Sequence, residues 1–392
     1  MRALGQHLLL LRRMNWVMLL MILGLIAVGV CFIYSATLMR EDATVDLYAK
    51  QIKWALAGLI CYFGVTLFDY RRLRDVSWLF YAVAVVLLVA VLFFGTRIYG
   101  ARRWLMFMGI GVQPSEIGKL AVIALSACLL SPAAEKFGQA PPLWRLFLLA
   151  GIPMVLVMKE PDLGSALVYL PVVAAMVFVA GARIKPLVIM GVSGVVAVLL
   201  ILAAVALPEK MGMTPEHQDK FFSAIRLSDY QRNRIEVFLQ PGKDPMGTGW
   251  NKRQSEIAVG SGGLTGKGYL GGAQNILGFL PRTVAPTDFI FSVITEELGF
   301  VGAVGVLVLY GGLVLCGLYT AMVARDKMGR VLCVGIVMMV FAHAFINMAM
   351  TIGVLPVVGI PLPLVSYGGT FMVITLLALG LIQSVYVRRP GI

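Results

Sequence analysis

The sequence predicts an all-α integral membrane protein, a polytopic bundle of about ten transmembrane helices with one long extracytoplasmic loop. Three observations predict it. First, 59% of the 392 residues are hydrophobic and only 14% are charged, against roughly 25% charged in a soluble domain. Second, apolar runs of about 20 residues recur from end to end, each long enough to cross a hydrocarbon core of about 30 Å as a helix. A transmembrane barrel would show alternating stretches of about 10 residues instead. Third, Lys and Arg gather at every second connection.

The spans fall at about 15–36, 51–67, 77–95, 114–132, 144–160, 163–182, 186–207, 288–322, 330–353 and 364–386. The first run begins near Trp16, lacks a small-residue cleavage site and is followed by more spans, so it reads as a retained helix. Arg12 and Arg13 precede it. Arg71, Arg72 and Arg74 mark the second connection, Lys136 and Arg145 the fourth, and Arg183 and Lys185 the sixth. Arg325, Lys327 and Arg330 mark the eighth, and Arg388 and Arg389 the C-terminus. Positive residues mark the cytoplasmic side, so both termini are expected there. Most of the net charge of +13 is therefore a topology signal, and a nucleic-acid partner is not expected.

Two outer connections depart from this plain pattern. One is short and basic, with Arg97, Arg102 and Arg103. The other covers residues 208–287, too long for a structureless loop in a compact domain, so it is expected to be functional and partly folded. Its first half reads as an amphipathic helix (Phe221 to Leu239), and its second half carries the glycine run Gly260–Gly268. The whole chain, 1–392, reads as a single transmembrane domain, with no convincing internal repeat.

Candidate chemistry is sparse. The five cysteines lie in apolar runs without metal-ligand spacing and read as small buried apolar residues. His7, His217 and His343 are dispersed. His343 and Asn347 sit at i,i+4 in one span, which suits hydrogen bonds between helices. The glycine run fails as a phosphate loop, because Ser261 and Gly268 stand where that motif needs Gly and Ser or Thr. It leaves a permissive backbone with one cation, Lys267. Glu116 and Lys119 share a helix face after Pro114, as an ion pair locking helices or as part of a site. Asp162 follows Lys159-Glu160-Pro161 and suits an N-cap. Asp288 closes the long loop. It too could cap a helix, or act as a general base with Lys267 and Arg282 near in sequence. Glu296 and Glu297 follow, suited to ion pairs or polar contacts between helices.

Several motifs together are specific. They are Gly100-Ala101-Arg102-Arg103-Trp104, Gln113-Pro114-Ser115-Glu116 with Lys119, and Pro161-Asp162-Leu163-Gly164-Ser165-Ala166. Then come Tyr230-Gln231-Arg232-Asn233-Arg234-Ile235, Gln254-Ser255 and the glycine run. Thr287-Asp288-Phe289-Ile290-Phe291, Glu296-Glu297-Leu298-Gly299 and Gly359 to Gly369 complete them. By these the chain resembles the SEDS family (shape, elongation, division and sporulation proteins) over nearly its whole length, in its RodA branch more than its FtsW branch. One segment departs from the family pattern. Where relatives commonly carry Leu-Pro-Glu, two residues and Thr-Asp, this chain has Leu280-Pro281-Arg282-Thr283-Val284-Ala285-Pro286-Thr287-Asp288.

The resemblance implies a peptidoglycan glycosyltransferase of cell elongation and shape. Such enzymes polymerise lipid II, a disaccharide-pentapeptide on undecaprenyl pyrophosphate, on the outer face of the bacterial cytoplasmic membrane. It maps the essential carboxylate onto Asp288, and makes Arg103, Glu116, Lys119 and Asp162 sensitive positions. Asp288 would deprotonate the acceptor 4-hydroxyl for inverting transfer, with Arg103, Lys119 and Lys267 as candidate cations for the pyrophosphate. No cluster specifies a metal site, although a divalent cation, Mg or Mn, could assist. The implied partners are a class B penicillin-binding protein (the transpeptidase) and the elongation machinery, in a membrane lipid setting. Two other readings compete: a flippase for a lipid-linked sugar, and a non-catalytic scaffold for the transpeptidase.

Overall fold

The computed structural model describes residues 10–38, 46–98, 101–107, 109–136, 143–210, 229–240, 247–281 and 283–390, with 217, 222, 242 and 244 besides. It is 76% helix, and each of the ten expected spans meets a helix. These are α1 (Trp16–Thr37), α2 (Leu47–Leu67), α3 (Leu73–Phe94), α4 (Pro114–Lys136), α5 (Leu143–Lys159), α6 (Leu163–Val179) and α7 (Ile184–Lys210). The long connection holds α8 (Asp229–Leu239) and α9 (Thr248–Ser261), and α10 (Ile290–Met322), α11 (Lys327–Thr351) and α12 (Gly369–Val387) follow. Among the described residues, seven helices are long and apolar enough to cross a membrane. The protein is an all-α polytopic membrane protein.

Local chemistry sets the helix starts. Asn15 Oδ1 accepts from Met18 N at 3.0 Å, Asp162 Oδ1 from Ser165 N at 3.1 Å, and Asp326 Oδ1 from Gly329 N at 2.8 Å. Each satisfies an amide that the first turn leaves without an intrahelical acceptor. The last span starts later than expected, at Gly369 and not near 364. Pro361 and Pro363 supply no N–H, and Leu364 takes a φ of +66°, so the chain turns there before it can wind.

Helix α11 is the central post. It packs against α4, α6, α10 and α12, and Met328, Leu332, Ile336 and Met350 along it are fully buried. Around this post α2 pairs with α12, α3 with α4, and α1 with α10. Helix α7 stands apart, apolar yet with only 6% of its spanning window buried, which leaves its sides to lipid.

The short basic connection is a folded meander. Strands β1 (Thr96–Ile98), β2 (Ala101–Phe107) and β3 (Ile110–Val112) pair antiparallel in order, with Arg97 opposite Arg102 and Met106 opposite Gly111. Gly109, at φ +80°, makes the β2–β3 turn that a side chain would resist. Thr370 Oγ1 donates to Gly111 O at 2.6 Å, tying the meander to the start of α12.

The long connection is partly helical. Helix α8 covers the C-terminal part of the expected amphipathic helix; most of Phe221 to Ser228 lies outside the described residues. The glycine run is fixed by backbone pairing. Helix α10 is broken at Gly299, whose backbone is non-helical (φ 64°, ψ −158°). Lys267 N donates to Glu296 O at 3.0 Å and Gly268 N to Glu297 O at 2.9 Å. In return Phe300 N donates to Gly263 O at 2.8 Å and Val301 N to Leu264 O at 3.1 Å. The loop thus pairs the polar groups that the break releases, as buried backbone requires.

Candidate active site

Asp288 lies in the turn ahead of α10, and two other segments fix that turn. Asn347 Nδ2, on α11, donates to Asp288 O at 2.9 Å and to Ile360 O at 2.6 Å. Ser366 Oγ donates to Thr287 O at 2.5 Å, and Tyr367 N to Pro286 O at 2.9 Å. The stretch that departs from the family pattern closes on itself, with Ala285 N and Val284 N both 3.0 Å from Pro281 O. Arg282 lies outside the described residues.

The Asp288 carboxylate faces two arginines. A Cβ placed on Gly359 would stand 3.3 Å from Asp288 Oδ2 and 3.5 Å from both Nη atoms of Arg234. Gly359 (φ +73°) is therefore the bare backbone past which carboxylate and guanidinium approach each other. Arg234 extends from α8 and donates to Val357 O at 2.6 Å. Burial pushes the Asp288 carboxyl above its usual range; Arg234 and Arg103 pull it back, and Asp162 adds to the rise. A carboxylate tuned upward but still opposed by cations suits a general base.

Arg103, on β2, grips the turn between α5 and α6. Its Nε donates to Glu160 O at 3.4 Å and its Nη2 to Pro161 O. Asp162 in that turn caps α6 and also accepts from Gln113 Nε2 at 3.4 Å. Glu160 beside it is 1% exposed.

Below lies a buried chain of polar groups. Lys119 Nζ donates to Glu116 Oε1 at 2.8 Å, and stands 2.7 Å from His343 Nε2. His343 Nδ1 lies 2.7 Å from Met339 O. A carbonyl only accepts, so Nδ1 carries the proton and Nε2 accepts from the lysine. Lys119 is 2% exposed, and its ammonium is committed within the protein.

A family model described as a cell cycle protein, of the FtsW, RodA and SpoVE type, matches residues 14–390. The chain belongs to the FtsW/RodA/SpoVE family. The peptidoglycan glycosyltransferase RodA of Treponema pallidum is 33% identical, covering 96% of this chain and 98% of its own length. The peptidoglycan glycosyltransferase MrdB of Escherichia coli K12 is 35% identical, covering 95% and 93%. A solved structure, described as structural coordination of polymerization and crosslinking by a peptidoglycan synthase complex, is similar at a TM-score of 0.74. It is 30% identical, covering 96% of this chain and 98% of that one.

In this FtsW/RodA/SpoVE chain the expected site residues divide. Arg103, Asp162 and Asp288 share one charged cluster, with Glu116 and Lys119 on the helix beneath it. Lys267 belongs elsewhere. Its ammonium donates to Glu296 Oε1 at 2.6 Å and to Ser261 Oγ at 2.7 Å, which removes the expectation that it serves Asp288. Glu296 also accepts from Gln274 N at 3.0 Å, while Glu297 accepts from Ser35 Oγ and from Leu270 N at 3.0 Å. Both glutamates, one of them salt-bridged, anchor the glycine run. Sequence reasoning missed Arg234 as a site residue, although it lies within the quoted Tyr230–Ile235 motif. It also missed Glu160. Gly359 heads another quoted motif, and its positive φ is the reason for a glycine there.

Proposed function

We propose that this protein polymerises lipid II into glycan strands on the outer face of the bacterial cytoplasmic membrane, in cell elongation. The observation that carries the reading is the pairing of a carboxylate, Asp288, with two guanidinium groups, Arg103 and Arg234, at the head of a membrane helix. Asp288 accepts the proton of the acceptor sugar's 4-hydroxyl as that oxygen attacks the donor's anomeric carbon. The bond from that carbon to the lipid pyrophosphate breaks with inversion. Arg103 and Arg234 meet the charge that grows on the leaving group, in surroundings where water screens it little. Lys119, Glu116 and His343 hold α4 against α11 beneath the site, and so position Gln113 and Asp162.

Among the described residues no three His, Cys, Asp or Glu side chains come together to hold a metal. Mg or Mn would accordingly arrive with the pyrophosphate, as Mg commonly does, and no step above passes through one. The basic connections put both termini in the cytoplasm and Asp288 outside. The described residues of the long connection, Arg234 beside Asp288 among them, then lie on the outer side, as part of a single domain. A class B penicillin-binding protein is the proposed partner, in keeping with the synthase complex that the fold resembles.

The test is polymerisation of lipid II by purified protein, wild type against Asp288→Asn, with and without the transpeptidase. Loss of a general base lowers the rate by about 10²–10⁴-fold. Normal polymerisation by Asp288→Asn would sink the assignment. Vesicle-based lipid flipping without polymerisation would favour a transporter.

A further inference from the structure

Glu160 is the ionisable side chain of the site that the mechanism leaves unused. It occupies the turn after α5, which the backbone binds tightly: Glu160 N donates to Val157 O at 3.1 Å and Asp162 N to the same oxygen at 3.2 Å. Arg103 closes the turn from the other side through the carbonyls of Glu160 and Pro161. Pro161 sits at φ +25°, a strained conformation that the surrounding contacts must maintain. The carboxyl itself is enclosed, and neither Oε1 nor Oε2 has a hydrogen-bond partner. An ionised carboxylate in that position would be an uncompensated buried charge. Taking up a proton removes most of that penalty.

We propose that Glu160 is a proton-carrying, neutral side chain whose lack of charge keeps the Arg103 clasp attractive to the donor's pyrophosphate. The inference rests on the polymerase reading for the identity of the ligand, and concerns a different residue and a different property. The groups facing Glu160 are Arg103 from β2, Asp162 from its own turn and the Tyr169 hydroxyl from α6, with Glu116 of α4 next to Asp162. With Glu160 neutral, Arg103 and Arg234 balance Asp162 and Asp288, so a pyrophosphate meets a neutral cluster with two donor-rich guanidinium faces. An ionised Glu160 would tip the cluster to net negative and repel the same ligand. Burial, with Asp162's charge behind it, holds the Glu160 carboxyl up at about 9, against the pull of Arg103. The change of state therefore falls just above physiological pH.

The probe is undecaprenyl pyrophosphate, with full-length purified protein in lipid nanodiscs, and affinity measured from pH 7 to about 10. The wild type is expected to lose about tenfold in affinity between pH 7 and about 10, most of it above about pH 8, while Glu160→Gln, which cannot ionise, loses less than about twofold. Equal losses in the two proteins would overturn the proposal. Infrared difference spectra, wild type minus Glu160→Gln, give a readout independent of turnover. A protonated-carboxyl C=O band is expected at neutral pH and should disappear at about pH 10. Its absence at neutral pH also overturns the proposal, and no measurable binding by the wild type overturns the pyrophosphate part. Failure of the polymerase reading is seen separately, as normal polymerisation by Asp288→Asn.

Discussion

Gly359 shows how much one side chain can decide. Its φ of +73° costs a residue with a Cβ about 1–2 kcal/mol. The added methyl would also stand between Asp288 and Arg234. Gly359→Ala is therefore expected to fold with a lowered melting temperature, and to lose at least about tenfold in polymerisation through the displaced base. A melting curve and a turnover assay on the same preparation check both effects. Glu160 gives a prediction about pH. Its carboxyl is raised from 4.5 to about 9 in the folded protein, so unfolding releases a proton at any pH between those values. Stability from this residue is complete below about 4.5 and drains away as pH rises to about 9. Glu160→Gln should flatten that decline, and its melting temperature relative to wild type should climb between pH 5 and 8. An unchanged difference would contradict the buried neutral acid.

Among the elements, the broken helix α10 and the glycine run form one unit. A side chain at Gly266 would begin 2.1 Å from Glu297 O, and one at Gly299 would begin 2.4 Å from Gly266 N. Gly266→Val should therefore separate loop from helix and leave at least two backbone groups without partners, at about 1–3 kcal/mol each. Limited proteolysis within residues 262–272 should accelerate. Lys267 is a second test of this unit. Its side chain is 30% exposed while Glu296 is 1% exposed, so Lys267→Met strands a buried carboxylate and should cost about 1–3 kcal/mol, less than for a fully buried pair. The double variant Lys267→Met with Glu296→Gln should recover part of the loss. If Lys267 instead bound substrate, the single variant would raise KM and leave the melting temperature alone.

For the whole molecule, hydropathy and the spacing of Lys and Arg made the bundle legible, because lipid imposes length and polarity on every span. Asp288, Arg103 and Asp162 were legible as a set through motifs whose residues are far apart in sequence. Arg234 was not singled out: α8 carries it into the site, and no local pattern states which loop helix folds inward. Lys267 was set beside Asp288 by nearness in sequence, whereas its ammonium pairs with Glu296, further along α10. The β-meander was hidden for another reason, since two of its strands have only three residues and carry too little periodicity to read. Topology gives a prediction at this scale. Leu264 is 73% exposed, and a single cysteine placed there should react with a membrane-impermeant reagent from the outer side. A cysteine at Asp326 should be protected until the membrane is opened. The reverse pattern would invert the proposed orientation.

The interruption at Gly299 also has a meaning for how such a chain can change over generations. Before it, Ile290 to Glu297 are all buried against the protein; after it, Phe300, Val301 and Val308 lie open to lipid. One helix thus carries two regimes of selection. Replacements on the inner segment must preserve shape and hydrogen bonding, whereas those at the lipid-facing positions of the outer segment need only remain apolar. Substitutions among descendants should accumulate on one side of a single glycine and thin out on the other.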